Sequence, residues 1–506
     1  MNQDNGGIIG KINTPTQTVA SGVWSIEQQF EAQSSSIWPL AFPRTTFTNS
    51  CRYDDGSDDY LSKTFGSSGN RKTWSFSTWV KRSHLADGNM NIIGTDYSGS
   101  GEAYLLFRSG EQLMYGQYEG GGASNNYSFQ TNKAFRDTSA FYHILFVWDT
   151  TQSTSSDRMK LYVNGSQITS FSSSSYPSLN LDGVWNSNRV HYVGDDAIDG
   201  TNFDGYLAET IFVDGQALTP TSFGATNPVT NIWEPIAYAG TYGTNGFKLD
   251  YSDSSNLGDD TSGNGNDFTV NNLTSIDQST DTPSNNFATL NVLDLQSGTK
   301  PIYELGNLAI AGATDGGVRW YGCSSIGFST GKWYCEVKNL TTSNASLSAG
   351  VSSDPSENAR NNNAAGFRST DIATENYSGN IVINNTNVSV GYGSTWTASE
   401  DICMLAVDLD NDKFYIGKNG TWANSDDPSS NTGGYSMSGV TNSSGFFHFS
   451  FGSTSATYMN QMQANFGSPP YTISSGNADA NGHGNFEYTV PTGFFALCTK
   501  NLAEHG

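Results

Sequence analysis

The sequence predicts an all-β protein of two antiparallel β-sandwiches, preceded by a short N-terminal arm with one helix. A repeated pattern carries this prediction: a long apolar strand, a polar connection, a second strand and a tight turn. In its first occurrence, residues 141–148 are apolar on both alternating faces except at His143, as in a strand buried between two layers. The second strand, 159–163, ends at Asn164-Gly165. This pair readily adopts the positive φ angles of a hairpin turn.

The same pattern recurs downstream and indicates a second sandwich. An apolar run at 402–407 is followed by the polar residues 408–412, a strand at 413–416 and the turn Asn419-Gly420. The composition agrees, because 13% of residues are aromatic, 55 are glycine and only 14% are charged. Such a composition favours strands and turns over helices. A chain of 506 residues is long enough for several cores.

The charge balance argues against two classes of partner. Acidic residues number 48 and basic residues 24, which gives a formal net charge of −24. Such a surface repels nucleic acid and anionic lipid, so we expect neither nucleic acid nor membrane as a partner. Residues 1–11 have neither the basic start nor the apolar stretch of a signal peptide, so we expect no Sec export.

The five cysteines include no Cys-x-x-Cys pair. We expect reduced, packed thiols in a chain made in a cytosol. A bridge between Cys335 and Cys403 across neighbouring strands is the alternative.

Residues 1–45 differ from the rest of the chain and are predicted to form an arm. Ser25 and Gln28 are spaced for a capping box, and Ile26 and Phe30 share one face of the helix that follows. This helix has no domain of its own. Its apolar side chains must therefore pack either on the following sandwich or on a partner protein.

Residues 46–232 are predicted to form the first sandwich. Three motifs occur in order, WSFSTWV at 74–80, YVNG at 162–165 and FDGYLAETIFV at 203–213. Together they resemble the laminin-G, concanavalin-A-like jelly-roll family. The resemblance implies two stacked antiparallel sheets.

Residues 233–300 are predicted to be a connecting segment with some β structure. They are rich in Asn, Asp, Ser, Thr and Gly. The run DTSGNG at 260–265 resembles the opening of laminin-G-like modules, which implies a small β appendage instead of a free linker.

Residues 301–475 are predicted to form the second sandwich. The motifs GKWYCEV at 331–337, DICMLAVDLDN at 401–411 and FYIGKNG at 414–420 resemble the entry strand and central hairpin of SPRY domains. FFHFSF at 446–451 and ANFG at 464–467 resemble their closing strands. SPRY domains are binding modules without chemistry of their own, so the resemblance implies recognition.

Residues 476–506 form a C-terminal tail that includes VPTGFFALCTKNL at 490–502. The layout of arm, two sandwiches, connector and tail is similar to structural proteins of tailed bacteriophages. This resemblance implies a non-enzymatic surface fibre or decoration of the virion, made in the bacterial host cytoplasm. The arm, 1–45, would bind other virion proteins of tail or capsid, and the sandwiches would bind host-surface glycan or protein. It also implies a homo-oligomer, with a trimer favoured.

The alternative function is a virion-associated glycan-degrading enzyme on a concanavalin-A-like scaffold. Such an enzyme needs a pair of carboxylates, commonly as Glu-x-Asp-x-x-Glu on one strand. No Glu in this chain is followed by Asp at the second position after it. The six histidines are scattered, and we expect His143 and His448 to be packed and hydrogen-bonded in strands. We therefore predict no catalytic residues.

Two candidate binding sites follow from the loops. Structural calcium is the one cofactor that the sequence suggests. Calcium prefers oxygen ligands, and these are crowded in a Gly-rich run at Asp259, Asp260, Asn264, Asn266 and Asp267. Asp195, Asp196 and Asp199 form a second such group; solvated turns are the alternative for both. For glycan, the candidates are Tyr118 and Tyr127, which flank a Gly-rich loop between 116 and 132. Exposed rings can stack on the apolar faces of sugars.

Overall fold

The computed structural model describes residues 24–34, 45–83, 85, 88–95, 101–119, 126–196, 201–227, 230–293, 301–312, 320–341, 346–356, 363–453 and 461–506. Of the described residues, 41% are in strands and 8% in helices, which confirms the all-β prediction. The chain divides into two compact units. One takes residues from 1–46 and 219–239, and the other takes residues from 47–218 and 240–506. The predicted domain boundaries stay a prediction.

The strands before residue 300 are, in chain order, β1 (Ser50–Tyr53), β2 (Tyr60–Thr64), β3 (Thr73–Arg82), β4 (Met90–Thr95), β5 (Gly101–Phe107), β6 (Gln112–Glu119), β7 (Tyr127–Ala134), β8 (Tyr142–Asp149), β9 (Met159–Val163), β10 (Ser166–Ile168), β11 (Phe171–Ser175), β12 (Val190–Val193), β13 (Gly205–Asp214), β14 (Gly224–Thr226), β15 (Trp233–Pro235), β16 (Phe247–Leu249), β17 (Thr269–Asn271) and β18 (Gln278–Ser279).

The strands after residue 300 are β19 (Ile302–Glu304), β20 (Ala309–Ala311), β21 (Tyr321–Cys323), β22 (Lys332–Asn339), β23 (Leu347–Ser352), β24 (Asp371–Glu375), β25 (Ile381–Ile383), β26 (Thr386–Ser389), β27 (Ile402–Asp408), β28 (Lys413–Lys418), β29 (Thr421–Trp422), β30 (Tyr435–Ser436), β31 (His448–Ser453), β32 (Gln461–Asn465) and β33 (Phe495–Ala496). Two α-helices are described over their full length, α1 (Ile26–Ser34) and α2 (Thr499–His505), and residues 355–356 are also helical. Short 3-10 helices lie at Asp55–Ser57, Ser155–Asp157, Pro220–Ser222, Ser275–Asp277, Ala423–Ser425 and Pro428–Ser430.

The first sandwich has two eight-stranded sheets. One runs β10-β9-β8-β3-β13-β1-β18 with β16 beside β13, and the other runs β11-β7-β6-β5-β4-β12-β2-β17. The predicted central strand and hairpin are β8, β9 and β10, and the turn has φ angles of 48° at Asn164 and 75° at Gly165. In the core, the rings of Trp74 and Trp148 stack with centroids 5.9 Å apart. Three strands of the segment predicted to connect the sandwiches, β16, β17 and β18, pair with β13, β2 and β1 of this sandwich.

The second sandwich has a nine-stranded and a six-stranded sheet. The first runs β19-β20-β32-β22-β27-β28-β29, with β30 beside β28 and β33 beside β22, and the second runs β21-β31-β23-β24-β25-β26. The predicted turn Asn419-Gly420 joins β28 to β29, with φ angles of 47° and 84°. The tail packs on this sandwich: β33 pairs in parallel with β22. The buried carboxylate of Glu336 in β22 also accepts hydrogen bonds from the backbone N–H groups of Glu487 and Tyr488.

The two sandwiches meet at a junction built around a buried ion pair. The ammonium group of Lys81 in β3 is fully buried and lies 2.7 Å from Asp281. It also donates to Asn286 Oδ1 at 2.8 Å and to the carbonyl of Phe287 at 3.0 Å. Phe287 belongs to the buried apolar cluster that contains Tyr334 of the second sandwich. Lys81 therefore holds the chain where it passes from one sandwich to the other.

A second set of contacts closes the same junction. Tyr206 in β13 donates to the carbonyl of Gly306 at 2.9 Å, and Asn307 donates to the carbonyl of Ser83 at 2.6 Å. A Cβ at Gly306 would lie 2.3 Å from the Tyr206 hydroxyl, so only glycine fits there. Both sandwiches belong to the same compact unit, as these contacts require.

The smaller unit contains α1 and the hairpin of β14 and β15. The predicted capping box is present: Gln28 donates its backbone N–H to Ser25 Oγ at 3.1 Å, and Ser25 donates its own to Gln28 Oε1 at 3.0 Å. Phe30 is 70% exposed. The unit therefore presents a large apolar side chain to solvent.

All five cysteines are buried and unbridged, so the alternative Cys335–Cys403 bridge is not formed. His143 is buried and hydrogen-bonded to Ser77 Oγ at 2.9 Å, and burial lowers its pKa to about 3. His448 Nδ1 lies 2.9 Å from the carbonyl of Ser324. Both histidines are packed strand residues, as predicted. Among the described residues, no helix is both long enough and apolar enough to cross a membrane.

Candidate glycan-binding face

The two tyrosines predicted to bind glycan lie on opposite faces of one sheet. Tyr118 is in β6 and Tyr127 in β7, where Tyr127 pairs with Gln117. Because side chains alternate along a strand, Tyr118 points to the side opposite Tyr127. Tyr127 packs against the main core of the sandwich, whereas Tyr118 packs with Tyr104 on the other side. The structure therefore does not bring the two rings to one surface. Residues 120–125 of the predicted loop lie outside the described residues.

Tyr118 belongs to a group of side chains on the outer face of this sheet, by which we mean the side turned away from the main core. One row across the strands contains Tyr192, Gly94, Tyr104 and Gly116. The ring centroids of Tyr104 and Tyr118 are 6.1 Å apart. With Leu106 and Met114, these two rings form an apolar cluster separate from the core.

Gly116 is the residue that allows Tyr104 to lie across the sheet. A Cβ at this position would lie 2.6 Å from the Cζ and Oη atoms of Tyr104, closer than van der Waals contact permits. Tyr104 is 8% exposed, and Tyr118 beside it is half-buried. The buried ring thus supports the half-exposed one, which offers solvent an apolar ring and a polar tip.

A second pair of tyrosines lies on the same face. Tyr192 of β12 pairs with Ser62 of β2, and Tyr60 lies two residues before Ser62, so all three share the outer face. The rings of Tyr60 and Tyr192 meet edge to face with centroids 5.7 Å apart, and both are half-buried. The outer face therefore carries two tyrosine pairs.

The outer face also holds a pair of buried carboxylates. Glu102 of β5 pairs with Tyr118 in the sheet, so it shares the outer face, and it is 3% exposed. Burial, together with the smaller effect of the charge of Asp196, raises the pKa of Glu102 to about 7. Asp196 accepts a hydrogen bond of 2.7 Å from Thr201 Oγ1. Asp195 and Asp196 are two of the residues predicted as a second calcium group; the third, Asp199, lies outside the described residues.

The structure gathers the predicted calcium ligands in one loop but engages most of them in hydrogen bonds. The carboxylate of Asp260 accepts from the backbone N–H groups of Lys248, Ser262 and Asn266 and from the hydroxyl of Ser262. The amide groups of Asn264 and Asn266 donate to backbone carbonyls between 243 and 246. These contacts fold the run DTSGNG against β16.

The two remaining predicted ligands, Asp259 and Asp267, lie beside Asp260. Asp267 accepts from the backbone N–H of Asp260 at 3.0 Å. Burial, followed by the charges of Asp267 and Asp253, raises the pKa of Asp259. In the part of the chain that the structure describes, no group of three or more His, Cys, Asp or Glu side chains is arranged to hold a metal ion. Calcium at this loop stays a prediction.

Sequence reasoning missed Tyr60, Tyr104, Tyr192 and Glu102. The alternation around Tyr104 indicates a strand, but it does not say which of the two alternating sets faces the core. Gly94 and Gly116, placed opposite Tyr104 on both neighbouring strands, are the signal that becomes readable once the register is known.

Comparison with known families matches part of the chain. Residues 55–222 match the family described as the concanavalin A-like lectin/glucanases superfamily. The match covers the first sandwich from the turn after β1 to the end of β13 and slightly beyond. No curated protein matches the chain.

Three solved structures illustrate the likenesses found among known structures. The SPRY domain of human HERC1 is 17% identical, with 31% of this chain and 87% of that chain covered and a TM-score of 0.24. A heptameric SAP-like pentraxin from Limulus polyphemus is 14% identical, with 41% and 90% covered and a TM-score of 0.26. A Trypanosoma rangeli sialidase is 15% identical, with 29% of this chain and only 21% of that chain covered and a TM-score of 0.21. At such values, these likenesses say nothing about ligand or activity.

Proposed function

We propose that this chain is a surface protein of a tailed-phage virion, a fibre or a decoration, whose first sandwich binds host-surface glycan through its outer face. The proposal depends on one observation: two pairs of tyrosines, Tyr60 with Tyr192 and Tyr104 with Tyr118, lie on that face. The sandwich that carries them matches a superfamily of lectins and glucanases. The layout of arm, two sandwiches and tail supports the virion setting.

The chemistry of the outer face suits a neutral or weakly charged glycan. Half-buried tyrosine rings offer apolar faces that can stack on sugar rings, and their hydroxyls can meet sugar hydroxyls. Such contacts need no opposite charge on the ligand. They are therefore compatible with a chain of net charge −24, which would repel an anionic ligand.

Attachment to the virion is assigned to residues 1–45, with other tail or capsid proteins as partners. Phe30 on α1 supports this assignment because it is 70% exposed. Exposure of a large apolar ring to water is unfavourable, and a partner protein would cover it. The protein would be made in the bacterial host cytoplasm and act on the virion as a homo-oligomer, with a trimer favoured.

A glycan-degrading enzyme is the second candidate, and one observation favours it. Glu102 with a pKa of about 7 beside Asp196 resembles the acid and carboxylate pair that glycoside hydrolysis needs. However, Glu102 is only 3% exposed, so a glycosidic oxygen has little access to it. Release of reducing sugar from host polysaccharide by the wild-type chain, and its loss in Glu102→Gln, would favour the enzyme.

A density map of the whole virion tests the proposed setting. We expect two linked sandwiches projecting from the tail or capsid, with the arm in contact with another virion protein. A virion that contains no such density, although infected cells produce the chain, would contradict the proposal.

A further inference from the structure

A cavity lies where two segments far apart in the sequence meet. One is 275–280, between the sandwiches, and the other is 468–473, after β32. The cavity measures about 200 Å³. This is room for about seven waters at about 30 Å³ of liquid volume each, and less than the roughly 300–1,000 Å³ of sites for drug-sized ligands. Its size suits a ligand of about one sugar ring.

Buried hydrogen bonds fix both walls of this cavity. The guanidinium of Arg52, which is 1% exposed, donates to the carbonyl of Ile276 at 3.1 Å and to that of Pro469 at 3.3 Å, one on each wall. The hydroxyls of Ser279 and Ser468 lie 2.7 Å apart and join the same two segments. The cavity is therefore formed before any ligand arrives, which lowers the entropy lost on binding.

The lining is polar but uncharged. None of the residues that line the cavity is acidic, basic or histidine. Within the described part of the chain, the hydroxyls of Ser275 and Thr472 and the side-chain amide of Asn485 have no hydrogen-bond partner in the protein. Gln278 donates its amide N–H groups to two backbone carbonyls, which leaves its carbonyl oxygen as an acceptor.

We propose that this cavity binds a neutral polyhydroxylated ligand, namely a single sugar residue. Hydroxyl and amide groups without internal partners match sugar hydroxyls, and the apolar side chains of Ile276 and Pro469 can meet the apolar face of the ring. No charged side chain lines the cavity to offset the desolvation of a phosphate or carboxylate, so such ligands are disfavoured. This site is separate from the outer face and does not rest on the function proposed for it.

Ligand-observed saturation-transfer NMR tests the site, with free glucose, galactose, mannose and their 2-acetamido derivatives as probes at millimolar concentration. We expect at least one of them to bind the wild-type chain. In a Tyr118→Ala background, which weakens the outer face, Thr472→Trp should abolish the remaining binding, because Thr472 is exposed and a tryptophan there fills the cavity. Thr489→Trp adds an indole at another exposed position and should leave binding intact. Asn485→Ala, which removes one unpartnered amide, should weaken binding several-fold.

The outcomes separate this site from the outer face. Tyr118→Ala alone should retain the sugar binding of the cavity in this assay, even where it loses adhesion to cells. A methyl glycoside that binds as well as the free sugar identifies the ligand as a terminal glycan residue, and one that does not bind identifies a free sugar. Absence of binding by all probes, or full binding by Thr472→Trp and Asn485→Ala, would overturn the proposal.

Discussion

Lys81 carries an ammonium group that the protein encloses completely, and Asp281 beside it is equally buried. Removing one partner of a buried ion pair leaves the other charge without compensation, which typically costs about 3–5 kcal/mol. We therefore expect Lys81→Met to lower the free energy of unfolding by about that amount. Thermal and denaturant unfolding of the purified chain measure it.

Lys160→Met is the matched control for Lys81→Met. Lys160 pairs with Asp157 at 3.2 Å on the surface, where the two side chains are 31% and 45% exposed. Solvent screens such a pair, so its loss should change stability by no more than about 1 kcal/mol. Equal effects of the two substitutions would show that the junction does not depend on the buried charge.

Buried carboxylates predict the direction in which stability varies with pH. Burial raises the pKa values of Asp59, Glu102, Glu209 and Glu336 to about 7. A raised folded-state pKa means that the folded protein binds the proton more tightly than the unfolded chain. This stabilisation is complete below the unfolded pKa of about 4 and is lost as pH rises to about 7. We expect a higher melting temperature at pH 5 than at pH 8.

The substitution Glu102→Gln isolates the contribution of one carboxylate to this pH dependence. In the described part of the chain, Glu102 Oε1 has no hydrogen-bond partner, so the amide removes charge without breaking a bond. The variant should melt higher than wild type at pH 8 and close to it at pH 5. A uniform shift at both pH values would mean that packing, not charge, is what the substitution changes.

At the scale of the element, Tyr118 in β6 and Tyr127 in β7 have different roles. Tyr127 packs on the core, so Tyr127→Ala should lower the melting temperature by several degrees. Tyr118 is on the outer face, so Tyr118→Ala should weaken adhesion of the purified protein to host cells with little change in melting. Thermal scans and cell-binding assays on both single variants check this. Equal adhesion losses in two normally folded variants would contradict the division between faces.

The sequence predicted the positions of strands and turns better than it predicted which side of each strand faces the core. Asn164-Gly165 and Asn419-Gly420 gave the turns because few residue pairs adopt two positive φ angles at low cost. The capping box at Ser25 and Gln28 was predictable because both of its hydrogen bonds join residues three apart in the sequence. The side of β6 that faces the core was not predictable, because both sides carry large side chains. The pairing with neighbouring strands determines which side is buried in the core.

Local sequence patterns could not predict the contacts between segments that are far apart in the sequence. Lys81 and Asp281 are 200 positions apart, and the cavity brings 275–280 against 468–473. Nothing in the sequence of either segment indicates that the other packs against it. The same holds for Glu102 and Asp196, whose proximity follows from strand register.

At the scale of the whole molecule, the buried junction makes the two sandwiches one body, whereas the arm belongs to a separate unit. We expect deletion of residues 1–45 to leave both sandwiches folded, because their strands begin at β1 and pair without the arm. The truncated chain should fail to enter virions. Its melting curve and its copy number in purified particles test this, and a normal copy number would exclude the arm as the anchor.

The central claim, that the chain binds host-surface glycan through uncharged contacts, is tested most directly by adhesion of the purified protein to host cells with and without their surface polysaccharide. Stripping the polysaccharide should abolish adhesion, and on intact cells adhesion should vary little as salt is raised, because stacking on sugars needs no charge attraction. Undiminished adhesion to stripped cells, or adhesion to intact cells that disappears at moderate salt, would contradict the claim.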